Sequence, residues 1–296
     1  MRLAITGAGG FVGRAVARHL SDMQFDGTVR LIDREISGHS DFESVKLDLA
    51  DPGALDGALE GVDRVLHLAA LPGGAAQADP ALSQKINLDL SLNLLERMDG
   101  RRLVYASSIA VFGDSFPTAV DDETVVHPAS VYGTHKRMVE LAFADAVRRQ
   151  AVTGAALRLS GIVARPSLAE GFGSAFLSDV FHAVRGGEAC TLPVSPDATS
   201  WLMSVKTCAK ALVHALLSDF TEPDPIMLPA VRAPMQVLVK SAARYGDSSK
   251  ISFQRDDTIQ RLFASHPSLT THKAASLGFT GDLTLDGLVD NVFAYA

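Results

Sequence analysis

Three glycines at positions 7, 10 and 13 follow a short apolar run and precede a segment whose apolar residues recur at helical spacing. A strand, a glycine-rich turn and a helix in this order are typical of a loop that binds dinucleotide phosphates. Gly7 permits the turn, Gly10 lets the backbone approach a pyrophosphate, and Gly13 lets the helix pack against the strand. The N–H groups at the helix start, next to Phe11 and Val12, would face the phosphates. An ordinary strand-to-helix turn gives the same pattern, so the rest of the chain decides between the two.

Apolar runs alternate with helical patterns along the first half of the chain, which is typical of βαβ units. The predicted strands are Arg2–Thr6, Val29–Asp33, Ser44–Lys46, Arg64–Leu68, Arg102–Ser107 and Ala155–Leu159. The predicted helices are Phe11–Met23, Pro52–Leu59, Ala81–Met98 and Tyr132–Gln150. We therefore predict an α/β fold with a doubly wound parallel sheet, a Rossmann domain, over residues 1–161.

The second half of the chain is richer in Gly, Pro and Ser, and its alternation is less regular. Two helices are predicted there, Val205–Ser218 and Gln236–Tyr245. We predict that residues 162–296 form a smaller substrate-binding lobe, with segments that return to the first domain.

Composition excludes several classes of protein. The net charge of −7 argues against a nucleic-acid surface, and no run of about eighteen apolar residues predicts a membrane span. Cys190 and Cys208 lack metal-ligand spacing, so no metal site is expected. The first strand begins at residue 2, which leaves no signal peptide. These features predict a soluble cytoplasmic protein with neither a nucleic-acid nor a membrane partner.

Asp33 ends the second predicted strand, about 20 residues after the last glycine of the loop. A carboxylate there accepts hydrogen bonds from the ribose hydroxyls of NAD and repels the 2′-phosphate of NADP. The sequence therefore predicts NAD as the cofactor. Arg34 follows immediately and can accommodate that phosphate, so NADP stays the alternative.

Further residues are predicted to contact the cofactor where other strands end. Asp48-Leu49 follows the third strand, and Asp48 would reach the adenine amine. Leu68-Ala69-Ala70 follows the fourth, where small side chains let the backbone lie close to the cofactor, although a core strand end explains the alanines equally well. Asn87 interrupts an apolar helix face. It either orients a backbone group or water near the nicotinamide, or faces solvent.

Tyr132 and Lys136 stand four residues apart at the start of a predicted helix, so their side chains share one face. A phenol with an ordinary pKa of about 10 is a poor base. A nearby lysine and the positive nicotinamide ring favour the phenolate, so Tyr132 would take the proton of a substrate hydroxyl. Both residues would also contact the cofactor, Lys136 at the ribose. Ser108, after the fifth strand, would bond the reacting oxygen. A chance pair on a helix surface is the alternative.

These motifs together resemble one family. The glycine loop, Asp33, His67–Ala70, Ser107–Gly113 and Tyr132–Lys136 are similar to the extended short-chain dehydrogenase/reductase family, which includes nucleotide-sugar epimerases and dehydratases. The resemblance implies that Ser108, Tyr132 and Lys136 are catalytic. It also implies a homodimer through the helices that hold Asn87 and Tyr132. His135 stands where a serine is usual in the family.

The later motifs bear on the substrate. Nucleotide-sugar members carry an arginine, a histidine and an aspartate where this chain has Ser200–Thr207, and the arginine helps to hold the diphosphate. The segments Leu157–Leu159, Val163–Pro166, Ser174–Phe176, Leu192–Val194 and Ser200–Leu202 instead resemble a subgroup that oxidises small sugar acids. That likeness implies oxidation of the C2 hydroxyl of a D-erythronate-like aldonate to a 2-keto acid. The arginine that the subgroup has before the tryptophan is replaced here by Thr199 and Ser200.

A carboxylate substrate needs hydrogen-bond donors. We predict Arg165, after the sixth strand, and the hydroxyls of Ser174 and Ser108 as substrate contacts, with Gly73 in a flexible stretch after the fourth strand. An exposed loop arginine paired with an acid is an equal alternative for Arg165. Two other functions stay open: an epimerase or dehydratase that retains its cofactor, and an NAD(P)-sensing protein without turnover. Stoichiometric release of NADH separates the dehydrogenase from both.

Overall fold

The computed structural model describes residues 1–36, 41–51, 53–166 and 173–295. The chain forms two compact units. The first unit consists of residues 1–111, 130–158 and 209–227, and the second of residues 112–129, 159–208 and 228–296. Residues 209–227 therefore belong to the same unit as the glycine loop, whereas residues 112–129 do not. The assignment of cofactor and substrate to separate domains stays a prediction.

The strands are β1 (Arg2–Thr6), β2 (Thr28–Asp33), β3 (Glu43–Lys46), β4 (Arg64–His67), β5 (Arg102–Ser108), β6 (Ala119–Val120), β7 (Thr153–Leu159), β8 (Gly161–Ile162), β9 (Cys190–Leu192), β10 (Thr199–Met203), β11 (Ile226–Met227), β12 (Val231–Pro234), β13 (Ile251–Phe253) and β14 (Ser268–Leu269). The α-helices are α1 (Phe11–Asp22), α2 (Ala54–Ala58), α3 (Gly73–Ala78), α4 (Pro80–Ser83), α5 (Leu90–Glu96), α6 (Val131–Arg148), α7 (Phe176–Gly186), α8 (Val205–Leu217), α9 (Met235–Ala242), α10 (Asp257–Phe263), α11 (His272–Ser276) and α12 (Leu285–Tyr295).

The first unit contains a seven-stranded sheet in the order β11-β7-β5-β4-β1-β2-β3. Strand β1 pairs in parallel with β2 on one side and with β4 on the other. The strand order reverses between β1 and β4, so the carboxyl ends of these strands flank the crevice in which open α/β sheets bind ligands. The predicted doubly wound parallel sheet is confirmed.

The core of the first unit explains why its strands were predictable. Strands of a parallel sheet are covered on both faces and therefore consist of nearly continuous apolar residues. In β1, Leu3, Ala4 and Ile5 have no exposed surface. One apolar cluster joins strand residues to the flanking helices, and it includes Ala4, Ile32, Val65, Leu103, Ala156, Leu94, Phe143 and Val139.

Two predictions in this unit need correction. The stretch that contains Gly73, expected to be flexible, forms helix α3. The helix predicted over Ala81–Met98 is α4 followed by a π-helical segment, Gln84–Asp89, and then by α5. The π segment adds one residue to a turn and changes the direction of the side chains that follow it. The helix predicted from Pro52 is observed as α2, and Pro52 itself lies outside the described residues.

The second unit is built from short elements. Strand β10 pairs antiparallel with β12 and parallel with β8, while β13 pairs with β9 and β14 with β6. Its core lies around α7, α9 and α12, with Phe181, Leu238 and Leu288 among its buried residues. Within the described part of the chain, the helices lack the combined length and apolar character needed to cross a bilayer.

Candidate active site

The glycine loop connects β1 to α1 in the crevice between β1 and β4. Gly7 has φ +72°, and a Cβ on it would lie 2.6 Å from the Ala69 nitrogen. A Cβ on Gly13 would lie 2.3 Å from the Gly7 carbonyl oxygen, so helix and turn touch through bare backbone. A Cβ on Gly10 meets only the Gly7 oxygen, at 3.2 Å, among the described atoms within 4 Å. The loop therefore packs tightly at Gly7 and Gly13 and leaves space beside Gly10.

The start of α1 fits a phosphate group. Gly10 is the N-cap of α1, and no side chain caps this helix end. The first N–H groups of a helix have no partner within the helix, and the helix dipole favours an anion there. The open side of Gly10 and the uncapped N–H groups next to Phe11 and Val12 are therefore suited to a pyrophosphate.

Asp33 lies beside this loop at the end of β2. Its Oδ2 accepts a hydrogen bond from the Gly9 N–H (2.9 Å), and its Oδ1 accepts one from the Glu35 N–H (3.3 Å). A cleft of about 500 Å³ is lined by Gly9, Gly10, Asp33, Arg34 and Glu35. This cleft adjoins the helix start, so the residues present fit the ribose of a dinucleotide with Asp33 at its hydroxyls.

The structure does not bring the predicted adenine contacts to this cleft. Asp48 is exposed, and its Oδ1 accepts a hydrogen bond from the Ala50 N–H (2.9 Å). Leu49 is buried in the apolar core of the unit. Neither residue lines the cleft beside Asp33, so their contact with adenine stays a prediction.

Asn87 binds the backbone of the segment that follows β4. It is 1% exposed, so the alternative that it faces solvent is wrong. Its Oδ1 accepts from the Leu71 N–H (2.7 Å), and its Nδ2 donates to the Leu71 carbonyl (3.0 Å) and to Ser83 Oγ (3.0 Å). His135 Nδ1 lies 2.9 Å from the same Ser83 oxygen. Asn87 thus holds the loop that contains Ala69 and Ala70, and direct contact with the cofactor stays a prediction.

A second buried chain of hydrogen bonds runs from the same loop through His67. Burial, with a smaller contribution from the charge of Lys136, lowers the pKa of His67 to about 3, so its ring is neutral. Ser91 Oγ donates to the Asn87 carbonyl (3.0 Å) and lies 3.1 Å from His67 Nε2. The Nε2 atom therefore carries the proton, and Nδ1 accepts from Thr6 Oγ1 (2.7 Å). The end of β4 is thereby tied to both β1 and the π segment.

Helix α6 carries Tyr132 and Lys136 in its first two turns. The helix begins after Ser130, whose hydroxyl accepts from the Gly133 N–H (3.1 Å). A Cβ on Gly133 would lie 2.3 Å from the Ala110 carbonyl oxygen, so glycine allows α6 to approach the end of β5. A Cβ on Gly73 would lie 3.9 Å from the Tyr132 ring, which places the start of α3 against that ring.

Lys136 is 2% exposed and lies between two tyrosine rings. Its Nζ is 5.5 Å from the Tyr132 ring centroid and 4.7 Å from that of Tyr105, and it donates to the Ala106 carbonyl (2.7 Å). Burial lowers the pKa of Lys136 to about 7, and the Glu140 carboxylate opposes this decrease. The structure therefore places a titratable cation beside Tyr132.

Ser108 ends β5 and is half-buried. Its Oγ accepts from the Ala110 N–H (3.1 Å), which uses an oxygen lone pair and leaves the hydroxyl hydrogen for donation. The adjacent Ser107 is buried, and its hydroxyl donates to Glu140 Oε1 (2.6 Å). The two serines thus differ in what they bind, and Ser108 is the one suited to a substrate oxygen.

The sequence analysis did not identify Glu140 and Arg158 as part of this region. Arg158 donates from Nε and from a terminal nitrogen to the two oxygens of Glu140, both at 2.9 Å. Glu140 stands eight residues after Tyr132 and four after Lys136, on the face of α6 that holds the apolar core. The sequence could have indicated this pair, because a carboxylate on a buried helix face needs a partner of opposite charge.

The predicted carboxylate contacts of the second unit lie together. Arg165 donates to Ser174 Oγ (3.3 Å), and His182 Nε2 donates to the Arg165 carbonyl (2.7 Å). Both arginine and serine are half-buried. Residues 167–172 between them lie outside the described residues. In the described part of the chain, no group of three or more His, Cys, Asp or Glu side chains could hold a metal ion.

Comparison with known proteins gives a family and a fold. The model of the NAD dependent epimerase/dehydratase family matches residues 3–227. D-erythronate dehydrogenase of Cupriavidus necator is 30% identical over 98% of this chain and 97% of its own length, and that of Haemophilus influenzae is 30% identical over 100% and 99%. The crystal structure of the nucleoside-diphosphate-sugar epimerase from Agrobacterium tumefaciens superposes with a TM-score of 0.87 at 27% identity, over 98% of this chain and 92% of its own.

Proposed function

The chain belongs to the NAD dependent epimerase/dehydratase family, and from this premise we propose that it oxidises a secondary hydroxyl of a small sugar acid, with Tyr132 as the base. The family membership confirms the resemblance predicted from the motifs. The observation that carries the proposed chemistry is the buried Lys136 ammonium, 5.5 Å from the Tyr132 ring and hydrogen bonded to the Ala106 carbonyl.

The proposed reaction removes a proton and a hydride from one alcohol group. When bound, NAD accepts the hydride from the carbon that carries the hydroxyl. The Tyr132 phenolate takes the hydroxyl proton, and the electron pair of that O–H bond forms the carbonyl. The positive charge of Lys136 favours the phenolate. Ser108 donates a hydrogen bond to the reacting oxygen and holds it near Tyr132.

NAD rather than NADP is the proposed cofactor. Asp33 lines the cleft beside Gly10, where its carboxylate would accept bonds from the ribose hydroxyls and repel a 2′-phosphate. Arg34 lines the same cleft and is the residue that would favour NADP instead. The proposed contacts at the phosphates are the loop residues Gly7 to Gly13. Ala69 and Ala70, which follow β4, are proposed to let the backbone lie close to the cofactor, and Asn87 is proposed to orient a backbone group near the nicotinamide.

The names of the relatives support a sugar acid as the substrate. Two D-erythronate dehydrogenases match nearly the whole chain at 30% identity, which makes a four-carbon aldonate, oxidised at C2 to the 2-keto acid, the first candidate. Arg165 and Ser174 are the proposed carboxylate ligands. The hydrogen bond from His182 to the Arg165 carbonyl supports a fixed backbone at that position.

A nucleotide-sugar epimerase is the second candidate, favoured by the likeness to the epimerase from Agrobacterium tumefaciens. Trp201 is fully buried and donates from Nε1 to the Pro267 carbonyl (2.8 Å), while Ser204 and Thr207 donate to Asp282. The polar groups of this segment are therefore used within the unit, which argues against a diphosphate ligand there. An NAD(P) sensor is a weaker candidate, because the Tyr132–Lys136 pair serves chemistry rather than binding alone.

A homodimer through the helical segment of residues 80–96, which holds Asn87, and through α6, which holds Tyr132, is part of the proposal. Leu82, Met138 and Leu141 expose 40%, 45% and 53% of their surface. Met138 and Leu141 stand three residues apart and so share one face of α6, and exposed large apolar side chains on one face favour burial against another chain. A cytoplasmic location is proposed with it, and the two unpaired cysteines, Cys190 and Cys208, support a reducing compartment.

The function is tested by offering the protein four- to six-carbon aldonates and uronates together with NAD. We expect NADH to form in proportion to the substrate consumed, with D-erythronate among the best substrates and a 2-keto acid as the product. A nucleotide-sugar panel is assayed in parallel. Conversion of a nucleotide sugar without net NADH would contradict the dehydrogenase and establish the epimerase.

The base is tested with Tyr132→Phe. Loss of the phenol oxygen should lower kcat by at least about 100-fold, since a general base contributes roughly 10²–10⁴-fold, while calorimetry finds NAD binding nearly unchanged. Tyr245→Phe, at a tyrosine that is 43% exposed, is the matched control and should keep full activity. Undiminished turnover in Tyr132→Phe would place the base elsewhere.

A further inference from the structure

Glu140 occupies a position in α6 that the proposed reaction does not yet use. It has no exposed surface. It lies one helical turn beyond Lys136 and two turns beyond Tyr132, and residues four apart share a helix face. The side chains of Tyr132, Lys136 and Glu140 therefore lie along one face of the helix, in the order phenol, amine and carboxylate.

The Glu140 carboxylate connects α6 to two neighbouring strands of the sheet. Its Oε1 accepts from Ser107 Oγ of β5 (2.6 Å) and from Arg158 Nε of β7 (2.9 Å). Its Oε2 accepts from a terminal nitrogen of Arg158 (2.9 Å) and from Arg137 (3.1 Å). A buried carboxylate with four charge-assisted or hydroxyl donors is fixed in place. The position of the negative charge of Glu140 relative to its neighbours is therefore fixed.

We propose that Glu140 is a positioning residue of the reaction: its charge keeps Lys136 protonated beside Tyr132, and its bond to Ser107 fixes the strand end that carries Ser108. The inference rests on the proposed function for its catalytic consequence. The effect of Glu140 on the protonation of Lys136 does not depend on which substrate the protein binds.

The electrostatic part follows from the groups that face Lys136. Tyr132 and Glu140 face it from α6, Tyr105 from β5 and His67 from β4. Burial raises the pKa of Tyr105 well above its ordinary value, and the lowered pKa of His67 leaves that ring neutral. Glu140 is thus the group in this set that contributes negative charge, and the Arg158 and Arg137 guanidiniums bonded to its carboxylate offset part of that charge. Because the pKa of Lys136 is about 7, a change in that charge alters the protonated fraction at neutral pH.

The positioning part follows from two adjacent bonds. Lys136 Nζ donates to the Ala106 carbonyl (2.7 Å), and the next residue, Ser107, donates to Glu140. Two residues one turn apart on α6 thus hold two successive residues of β5. Ser108 is the third residue of that run. These two bonds therefore hold the end of β5, and with it Ser108, against α6.

Glu140→Gln tests the electrostatic part, because it removes the charge and keeps the shape. In the protein without cofactor, NMR of isotope-labelled lysine follows the titration of Lys136. We expect its midpoint to move to lower pH by about one unit, as for loss of an opposite charge nearby. With cofactor and substrate, the decline of kcat at alkaline pH should move in the same direction. A merely structural role would lower Tm and leave both midpoints in place.

Two further variants separate stability from function. Glu140→Gln removes the carboxylate charge that the buried Arg158 faces, and this loss destabilises the fold. The double variant Glu140→Gln with Arg158→Met removes both charges and should recover part of the lost Tm. Its Lys136 midpoint should stay below that of the unsubstituted protein, because the Glu140 charge that raises this pKa is gone, but lie above that of Glu140→Gln, because a positive charge is gone as well. Ser107→Ala removes only the hydrogen bond, and should lower kcat without moving the Lys136 midpoint.

Asp145→Asn is the matched control, since Asp145 is another carboxylate of α6 with a 55% exposed side chain, and it should change neither midpoint. Unchanged Lys136 midpoints in both the single and the double variant would overturn the proposal. If the midpoint moves but Tyr132→Phe retains turnover, the influence on Lys136 stands and the proposed role of Tyr132 as the base fails. The two outcomes are therefore distinguishable.

Discussion

Replacing Asn87 by alanine separates a structural role from direct cofactor binding. The side chain is 1% exposed and makes two hydrogen bonds to the Leu71 backbone, one as an acceptor (2.7 Å) and one as a donor (3.0 Å). A third bond goes to Ser83 Oγ (3.0 Å). Asn87→Ala leaves the Leu71 N–H and carbonyl without these partners, in a loop whose other end packs on Gly7.

The expected loss of stability follows from these bonds. A buried donor or acceptor left unpaired costs about 1–3 kcal/mol. Leu71 is half-buried, so water replaces part of the lost bonding. We expect the free energy of unfolding to fall by about 2–4 kcal/mol, and Tm to fall by about 4–8 °C at roughly 2 °C per kcal/mol.

The assay is thermal and denaturant unfolding without cofactor, followed by calorimetric titration with NAD. Asn93→Ala is the matched control, because Asn93 lies in α5 with an exposed side chain. That variant should change stability by less than about 0.5 kcal/mol. Asn87→Asp adds a second test: it keeps the acceptor for the Leu71 N–H but turns an acceptor oxygen toward the Leu71 carbonyl. It should be no more stable than Asn87→Ala.

Two results would refute the loop-holding role. If Asn87→Ala unfolds like the control variant, the hydrogen bonds to Leu71 contribute nothing measurable. If stability is unchanged while NAD affinity falls, Asn87 contacts the cofactor directly. A loss of both stability and affinity supports action through the loop that contains Ala69 and Ala70.

Two other substitutions test the cofactor preference and the assembly. Asp33→Ala should weaken NAD binding by about tenfold, because a charge-assisted hydrogen bond is lost, and should affect NADP less; an unchanged ratio of the two dissociation constants, measured by calorimetry, would contradict the role of Asp33. Leu141→Arg should convert a dimer into a monomer in sedimentation velocity, because a charge would then lie in the proposed interface. Leu283→Arg, at a leucine that is 93% exposed in the second unit, should leave the assembly unchanged; a monomeric unsubstituted protein would contradict the dimer.

The sheet and the Tyr132–Lys136 pair could be predicted because local sequence determines them. Strands buried on both faces must be apolar throughout, so β1 and β5 were identified within one residue of their bounds. The pair needs only a helix and a spacing of four residues. Neither the apolar character of the strands nor the spacing of Tyr132 and Lys136 depends on residues elsewhere in the chain.

A contact with a backbone group could be predicted in kind for Asn87, but the sequence did not identify which backbone group it binds. The amide of Asn87 binds Leu71 through main-chain atoms, which every residue type possesses. The helix that begins with Gly73-Gly74 contradicts local propensity, since glycine disfavours helices by about 1 kcal/mol per residue. The π segment that carries Asn87 departs from the α-helical spacing on which the prediction over Ala81–Met98 depended. Tertiary packing decided these elements, and packing of distant segments is not visible in a local pattern.

The segment Ser200–Thr207 shows why the absent arginine could not be interpreted fully from the sequence. Ser204 donates from its backbone and its hydroxyl to Asp282 (both 2.8 Å), and Thr207 donates to the same carboxylate (2.7 Å). The partner lies more than seventy residues further along the chain.

The segment is therefore a packed junction between β10 and α8. Ser200, one of the two residues that stand where arginine was expected, is 1% exposed. An arginine returned to Ser200 would be buried against His266, whose own pKa burial lowers to about 4, and would bring an unpaired charge into the core. An arginine at this position would thus disturb the packing of this chain as well as change the available ligands, so a single substitution does not restore the expected site.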